Sequence, residues 1–81
     1  EKINGIIDPK STSTGEIIFK ILKYHKFPIN KDIAYYIYSA ILFDTGNFKY
    51  IEGKFEVLQI GYELLKTGIS HEEIYRHLFE N

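Results

Sequence analysis

Apolar residues recur at helical spacing in four stretches of the chain. Capping signals mark where three of them begin: Ser13 and Ser70 each stand three residues before a glutamate, the spacing of a capping box, and Asn30 precedes the second stretch. Pro28 ends the first stretch because proline cannot sit inside a helix, and Gly68 ends the third. The pattern therefore predicts helices over about 14–25, 31–43, 54–67 and from 71 onward.

Two short strands are predicted beside these helices. The apolar run 3–7 is closed by an Asp-Pro pair, and proline biases the residue before it towards extended backbone. Residues 48–50 alternate aromatic, charged and aromatic side chains, which is a strand pattern. The expected fold is a mostly helical piece of an α/β domain, with about four helices and one or two strands.

The second predicted helix, 31–43, is apolar on nearly all sides. After Lys31 and Asp32 in its first turn, its only polar residues are Ser39 and three tyrosines, whose rings are largely apolar. Such a helix is expected to be buried all round, yet a chain of 81 residues buries only about 60 to 65% of the surface that its unfolded form exposes. We therefore expect missing parts of a longer chain, or a partner, to cover helix 31–43.

Composition and charge narrow the class of protein. Ten Lys and Arg against 11 Asp and Glu leave a net charge of -1, so any phosphate must be held at a local site rather than gathered by a basic field. The chain has no cysteine, which fits a reducing compartment, and no apolar run of the roughly 20 residues that a membrane span needs. We expect a cytoplasmic protein without a membrane partner. Because the sequence also contains no Met, we expect it to be part of a longer chain.

Asp44 is the one ionisable residue that looks badly placed. It ends the apolar second helix, where the partial negative charge of the last carbonyls repels a carboxylate by about 0.3 to 1 kcal/mol. The residues alone favour an exposed Asx-turn, in which the carboxylate accepts hydrogen bonds from the amides of Gly46 and Asn47. They leave a metal ligand as the alternative, since an unpaired carboxylate beside a tight turn suits one.

Two further groups are candidates for ligand binding. The stretch Ser-Thr-Gly-Glu at 13–16 offers hydroxyl groups and free helix-start amides to a phosphate, although an ordinary helix cap explains the same residues. Glu73 and His77 stand four residues apart on the last helix and would share a metal, but such pairs arise often by chance on exposed helices.

Three segments resemble, in the same order, the later half of the catalytic domain of DHH family phosphoesterases: IIDPKSTSTGEIIFKIL, DIAYYIYSAILFDTGNFKY and LQIGYELLKTGISHEEIYRHLFEN. Within that family they are most similar to the bacterial oligoribonucleases that also dephosphorylate 3'-phosphoadenosine 5'-phosphate. The most specific parts are the Ser/Thr-Gly-Glu helix start and the Asp-Thr-Gly turn. The resemblance covers essentially the whole chain.

The resemblance implies a metal site. In the family, a parallel sheet flanked by helices holds two metal ions, usually manganese, through Asp and His residues of four motifs. The turn aspartate is the last motif, so Asp44 is implied as a catalytic metal ligand, with magnesium as the alternative ion. Thr45 and Gly46 would shape the turn, and Lys49 would reach Asp44 or a phosphate. Three helix-start residues would support the site: Ser13, Thr14 and Gly15.

The resemblance also implies that residues 1–81 are the C-terminal portion of the catalytic domain. The other metal motifs would lie upstream and a substrate-binding domain downstream, so the chain alone is expected to be inactive. The implied reaction is hydrolysis of short RNA or nucleotide 3'-phosphates by a hydroxide that two metal ions activate. Segment 51–55 departs from close relatives and leaves the exact substrate open. Cyclic dinucleotides, single-stranded DNA ends and pyrophosphate are alternatives, because family members that act on them share the same turn aspartate. A homodimer and a non-enzymatic helical interaction module are further alternatives.

Overall fold

Four α-helices form the described part of the chain, which comprises residues 13–51 and 55–80 of a computed structural model. They are α1 (Thr14–Tyr24), α2 (Lys31–Thr45), α3 (Glu56–Leu65) and α4 (His71–Phe79). Each helix lies within two residues of its predicted bounds, so the mostly helical prediction is confirmed. No strand occurs among the described residues, and the strand predicted at 3–7 lies outside them.

The predicted caps are also confirmed. The side-chain oxygens of Ser13, Asn30 and Ser70 each accept a hydrogen bond from the backbone amide three residues later, at 3.2, 2.9 and 3.2 Å. Each bond satisfies one of the amides that a helix start leaves without an intrahelical partner. These local signals place the first residues of α1, α2 and α4.

Helix α2 is the centre of the core, and the other three helices pack on it. The core side chains are at most 9% exposed and come from all four helices and the segment before α4: Phe19, Ala34, Ile37, Tyr38, Ile41, Leu42, Val57, Ile60, Leu64, Ile69 and Ile74. Burying each large apolar side chain contributes about 1.5 to 3 kcal/mol. Burial of α2 is nevertheless incomplete, since Tyr36 is 74% and Phe43 67% exposed. The described helices alone therefore do not surround α2, as expected for a chain of this size, and its cover by further segments or a partner stays a prediction.

Gly15 allows α1 to approach α2 unusually closely. A Cβ atom at this position would lie 2.6 Å from the carbonyl oxygen of Ile37 and 2.8 Å from a side-chain carbon of Ile41. Both distances are shorter than van der Waals contact allows. Gly15, which the sequence offered as part of either a phosphate site or an ordinary helix cap, is therefore required by helix packing.

The strand predicted at 48–50 was wrong, because the chain forms a left-handed turn there instead. Gly46, Asn47 and Phe48 have φ values of 60°, 60° and 68°. The amide of Lys49 donates to the carbonyl of Gly46 at 3.1 Å, and that of Tyr50 donates to the carbonyl of Thr45 at 2.9 Å. We call residues 46–50 the left-handed turn.

Phe48 is the strained residue of this turn, since a bulky side chain at positive φ costs on the order of 1 to 3 kcal/mol. Its ring packs edge-on to that of Tyr38, with centroids 6.0 Å apart. It also lies over Gly61 of α3, where a Cβ atom would be 3.1 Å from the ring tip. Packing against α2 and α3 therefore offsets the backbone strain.

Tyr38 joins α2 to α4. Its side chain is 2% exposed, and its hydroxyl shares a hydrogen bond of 2.7 Å with Nδ1 of His71 at the start of α4. Burial raises the pKa of Tyr38 to about 12, because the ionised phenolate would lose its hydration. Helix α4 is thus held to the core by a partly buried polar contact.

We expect Gly15→Ala to destabilise the protein by about 1 to 3 kcal/mol, because the added methyl group overpacks the α1–α2 crossing. Urea unfolding followed by circular dichroism measures this loss. Gly61→Ala is the comparison in another helix: its methyl group would lie 3.1 Å from the Phe48 ring and 3.6 Å from the Tyr38 ring, with no backbone atom among these contacts, and it gains helix propensity. A Gly15→Ala protein as stable as the Gly61→Ala protein would contradict the close approach.

We expect an alkaline loss of stability that depends on Tyr38. Its folded-state pKa of about 12 lies above the ordinary value of 10.0, so its contribution is complete below pH 10 and falls as the pH rises towards 12. The loss amounts to at most about 2 to 3 kcal/mol. Tyr38→Phe should remove this part of the pH dependence, whereas Tyr36→Phe, at a residue that is 74% exposed, should keep it. Equal alkaline slopes in the two variants would refute the assignment.

Candidate functional site

Asp44 lies in the last turn of α2 and is exposed. Its Oδ2 atom accepts a hydrogen bond of 3.0 Å from the backbone amide of Thr14, the first residue of α1 and 30 positions away in sequence. The aspartate of the Asp-Thr-Gly turn and the Ser-Thr-Gly-Glu helix start therefore meet in space. The structure brings together two stretches that the sequence singled out separately.

The Asx-turn interpretation of Asp44 was wrong. The amide of Gly46 donates to the carbonyl of Phe43 at 3.4 Å, and that of Asn47 donates to the carbonyl of Leu42 at 2.8 Å. The turn amides thus end the helix through backbone carbonyls. The carboxylate of Asp44 is left for the amino terminus of α1, whose partial positive charge attracts it.

Thr45 and Gly46 shape the turn, each by a different contact. The hydroxyl of Thr45, a residue only 7% exposed, donates to the carbonyl of Ile41 at 2.7 Å and accepts from the amide of Phe48 at 2.9 Å. Gly46 has a positive φ, and a Cβ atom there would lie 2.8 Å from the ring of Tyr50. A larger residue at position 46 would therefore be strained by the positive φ and would clash with the Tyr50 ring.

The predicted helix-start residues have structural partners. The hydroxyl of Ser13 accepts from the amide of Glu16, the amide of Thr14 donates to Asp44, and Gly15 is buried against α2. The capped helix that the residues favoured is therefore what the structure contains. Two amides that a phosphate would use, those of Thr14 and Glu16, already have hydrogen-bond partners.

Lys49 lies on the left-handed turn and is exposed. Its Nζ atom lies 5.9 Å from the ring centroid of Tyr50, a cation–π distance. Within residues 13–51 and 55–80 no carboxylate comes within ion-pair distance of it. The predicted contact between Lys49 and Asp44 is thus not made in the described part of the chain.

Among the candidate residues of this site, Asp44 is the side chain that is suited to bind a metal ion. The carboxylate of Asp44 is exposed, and in the described part of the chain it accepts a hydrogen bond from the Thr14 amide. Oxygen is the donor that manganese and magnesium prefer. Nowhere in the described ranges do three or more His, Asp or Glu side chains gather as a metal would require, and this includes the surroundings of exposed Glu73 and His77.

Two curated proteins match the chain. Both are named bifunctional oligoribonuclease and PAP phosphatase NrnA: that of Bacillus subtilis is 29% identical over 77 residues, covering 91% of this chain, and that of Thermus thermophilus is 29% identical over 69 residues, covering 85%. The resemblance to this branch of phosphoesterases is confirmed. The chain spans 25% and 21% of the lengths of these two relatives.

The other comparisons add nothing to this relation. No family model and no solved structure matches the chain. Among the helices of residues 13–51 and 55–80, none combines the length and apolar character that a bilayer crossing demands. The relation to the NrnA proteins therefore rests on sequence alone.

The contact between Thr14 and Asp44 is the feature of the site that sequence reasoning missed. It joins a backbone amide to a side chain 30 residues away, and no local spacing reports such a pair. The usable signal was indirect: a carboxylate at the wrong end of one helix and an unoccupied amide at the start of another have complementary partial charges.

We expect Thr14→Pro to delete this hydrogen bond with little other change. Proline lacks the amide proton but is well tolerated as the first residue of a helix, and Ser13 already has the extended ψ of 161° that a following proline requires. The cost should be about 1 kcal/mol in urea unfolding. Thr14→Ala, which keeps the amide, is the control.

A double-mutant cycle isolates the contact. In an Asp44→Ala background, Thr14→Pro should be nearly neutral, because the acceptor is already gone. If Thr14→Pro costs the same with and without the Asp44 carboxylate, the two groups do not interact.

Proposed function

We propose that this chain is part of the catalytic domain of a metal-dependent phosphoesterase that acts on short oligoribonucleotides or nucleotide 3'-phosphates. The observation that carries the proposal is the carboxylate of Asp44: it is exposed and oriented by the Thr14 amide. It stands in a chain that is similar to two oligoribonuclease and PAP phosphatase proteins over most of its length.

In this proposal Asp44 is a metal ligand and the Thr14 amide is its positioning group. A hydrogen bond to Oδ2 limits rotation of the carboxylate, as partners of metal ligands do in other metal sites. Thr45 and Gly46 fix where α2 ends, and so where the carboxylate leaves the helix. Two manganese ions, or magnesium ions in their place, would supply Lewis acidity and an activated hydroxide when bound.

The chain supplies only part of this site. One carboxylate cannot hold two ions, and the described residues offer no further cluster of ligands. The remaining ligands and the substrate-binding part would come from the rest of a longer parent protein, since the chain spans about a quarter of its relatives. The 81-residue chain by itself is therefore expected to be inactive.

A second candidate function is a helical interaction module. Tyr36 and Phe43 stand seven positions apart on the same side of α2, and they are 74% and 67% exposed. Two such aromatic side chains on one helix face would suit docking to a partner or to the parent's other segments. This candidate needs no metal and predicts no effect of Asp44 on catalysis.

We expect Asp44→Ala in the full-length parent to lower kcat/KM for a short oligoribonucleotide by at least about 100-fold, because a metal ligand is lost. Manganese binding, counted by electron paramagnetic resonance of the free ion, should fall in parallel. Asp32→Ala removes an exposed carboxylate from the first turn of the same helix and is the matched control.

The result can separate the candidates. Normal turnover and normal manganese stoichiometry in the Asp44→Ala parent would refute the ligand role and favour the interaction module. Turnover compared among short RNA, 3'-phosphoadenosine 5'-phosphate, a cyclic dinucleotide and pyrophosphate identifies the substrate class. An Asp-His-His motif upstream in the parent gene would support the enzyme.

A further inference from the structure

A groove runs between the left-handed turn and α4. Its larger part has a volume of about 470 Å³, and six residues line it: Gly46, Asn47, Lys49, Tyr50, Tyr75 and Phe79. A second cavity of about 310 Å³ shares Asn47 and Tyr75 with the first and adds His71, Glu72, Arg76 and Glu80. The larger volume lies in the range that holds small ligands.

Aromatic rings form the walls of the larger cavity. Tyr50 is 71% and Phe79 41% exposed, while Tyr75 is half-buried. Tyr75 stacks on His71 at 6.2 Å and packs against Phe79 at 5.1 Å between ring centroids. The rings on α4 are thus held in place by one another, and Tyr50 faces the same cavity from the turn.

The left-handed turn fixes Tyr50. Its amide is bound to the carbonyl of Thr45, and its ring lies so close over Gly46 that a Cβ atom there would be 2.8 Å away. The same turn contains the strained Phe48, and strain of this kind clusters at binding and catalytic sites. The Tyr50 ring lies against Gly46 but is 71% exposed, so most of its surface is available for stacking.

The larger cavity also has a positively charged side chain in its lining. Lys49 is the charged residue among the described residues that line its larger part, and its Nζ atom lies 5.9 Å from the Tyr50 ring. A flat ring beside a cation matches a nucleotide, whose base stacks on aromatic rings while its phosphate pairs with a basic side chain. A purely apolar peptide would leave the Lys49 charge unused.

We propose that the groove between the left-handed turn and α4 binds one nucleobase of an RNA substrate, with Tyr50 as the stacking ring and Lys49 as the partner of the adjoining phosphate. This inference rests on the proposed function for its ligand class, and it adds a substrate subsite distinct from the Asp44 carboxylate. Stacking tolerates every base, so the subsite would accept short RNA of any sequence.

Photoaffinity labelling of the full-length parent tests the proposal. The probe is 8-azidoadenosine 5'-monophosphate, applied in excess EDTA so that metal ions make no contribution. Trypsin releases Tyr50 in the peptide 50–54 and Tyr75 in the peptide 67–76. We expect label on one or both peptides, and adenosine 5'-monophosphate should suppress it at concentrations where ribose 5-phosphate does not.

Variants separate stacking from charge. Tyr50→Leu should weaken binding of adenosine 5'-monophosphate about tenfold, while Tyr50→Phe should retain it. Lys49→Ala should weaken binding about threefold, and less so in high salt. Tyr62 and Lys66 are the matched control pair: they form a similar exposed pair, 5.2 Å from Nζ to ring centroid, but line neither cavity.

The possible outcomes distinguish failure of the subsite from failure of the proposed function. Absence of label from both peptides would overturn the subsite, as would Tyr50→Leu binding as tightly as Tyr62→Leu, or ribose 5-phosphate competing as well as the nucleotide. Because EDTA removes the metal, label in the groove combined with normal turnover of the Asp44→Ala parent would refute the proposed function and leave the subsite standing. The reverse pattern would refute the subsite alone.

Discussion

The close approach of α1 and α2 at Gly15 determines where the rest of the described structure lies. Because Gly15 has no side chain, the backbone of α1 reaches the carbonyl of Ile37 and the side chain of Ile41. The helices run antiparallel, so the first residue of α1 arrives beside the last turn of α2. The hydrogen bond from Thr14 to Asp44 follows from this arrangement. A packing constraint in the core thereby sets the geometry of an exposed carboxylate.

Two helix ends of opposite partial charge meet at Asp44. The end of α2 repels its carboxylate and the start of α1 attracts it, each by about 0.3 to 1 kcal/mol at an exposed site. The hydrogen bond to Thr14 adds to the attraction, and exposure spares the cost of desolvation. The structure thus accounts for a carboxylate at this position without a metal. Its role as a metal ligand depends on the relation to the oligoribonucleases and on the experiment that removes it.

The sequence predicted what local interactions decide. Helix positions and caps were correct because apolar spacing and side chains such as Ser13, Asn30 and Ser70 act within one turn of the backbone. The strand at 48–50 was wrong because alternation of aromatic and charged residues fits a strand, while the actual turn needs Phe48 at positive φ. Packing against Tyr38 and Gly61, 10 and 13 positions away and on two different helices, offsets that strain, and no local pattern reports it. The bond of Asp44 was missed for the same reason.

Hydrogen bonds connect the segment from Asp44 to Tyr50 internally and to the helices, and this links the two candidate sites. Asp44 is bonded to α1, Thr45 is bonded to both α2 and the turn, and Tyr50 is bonded back to Thr45. Beneath them, Phe48 is wedged into the core. The carboxylate and the stacking ring therefore share one support: a change that releases Phe48 removes the packing that compensates the strained turn. Such a change is therefore expected to disturb the proposed metal ligand and the proposed stacking ring together, although they are six residues apart.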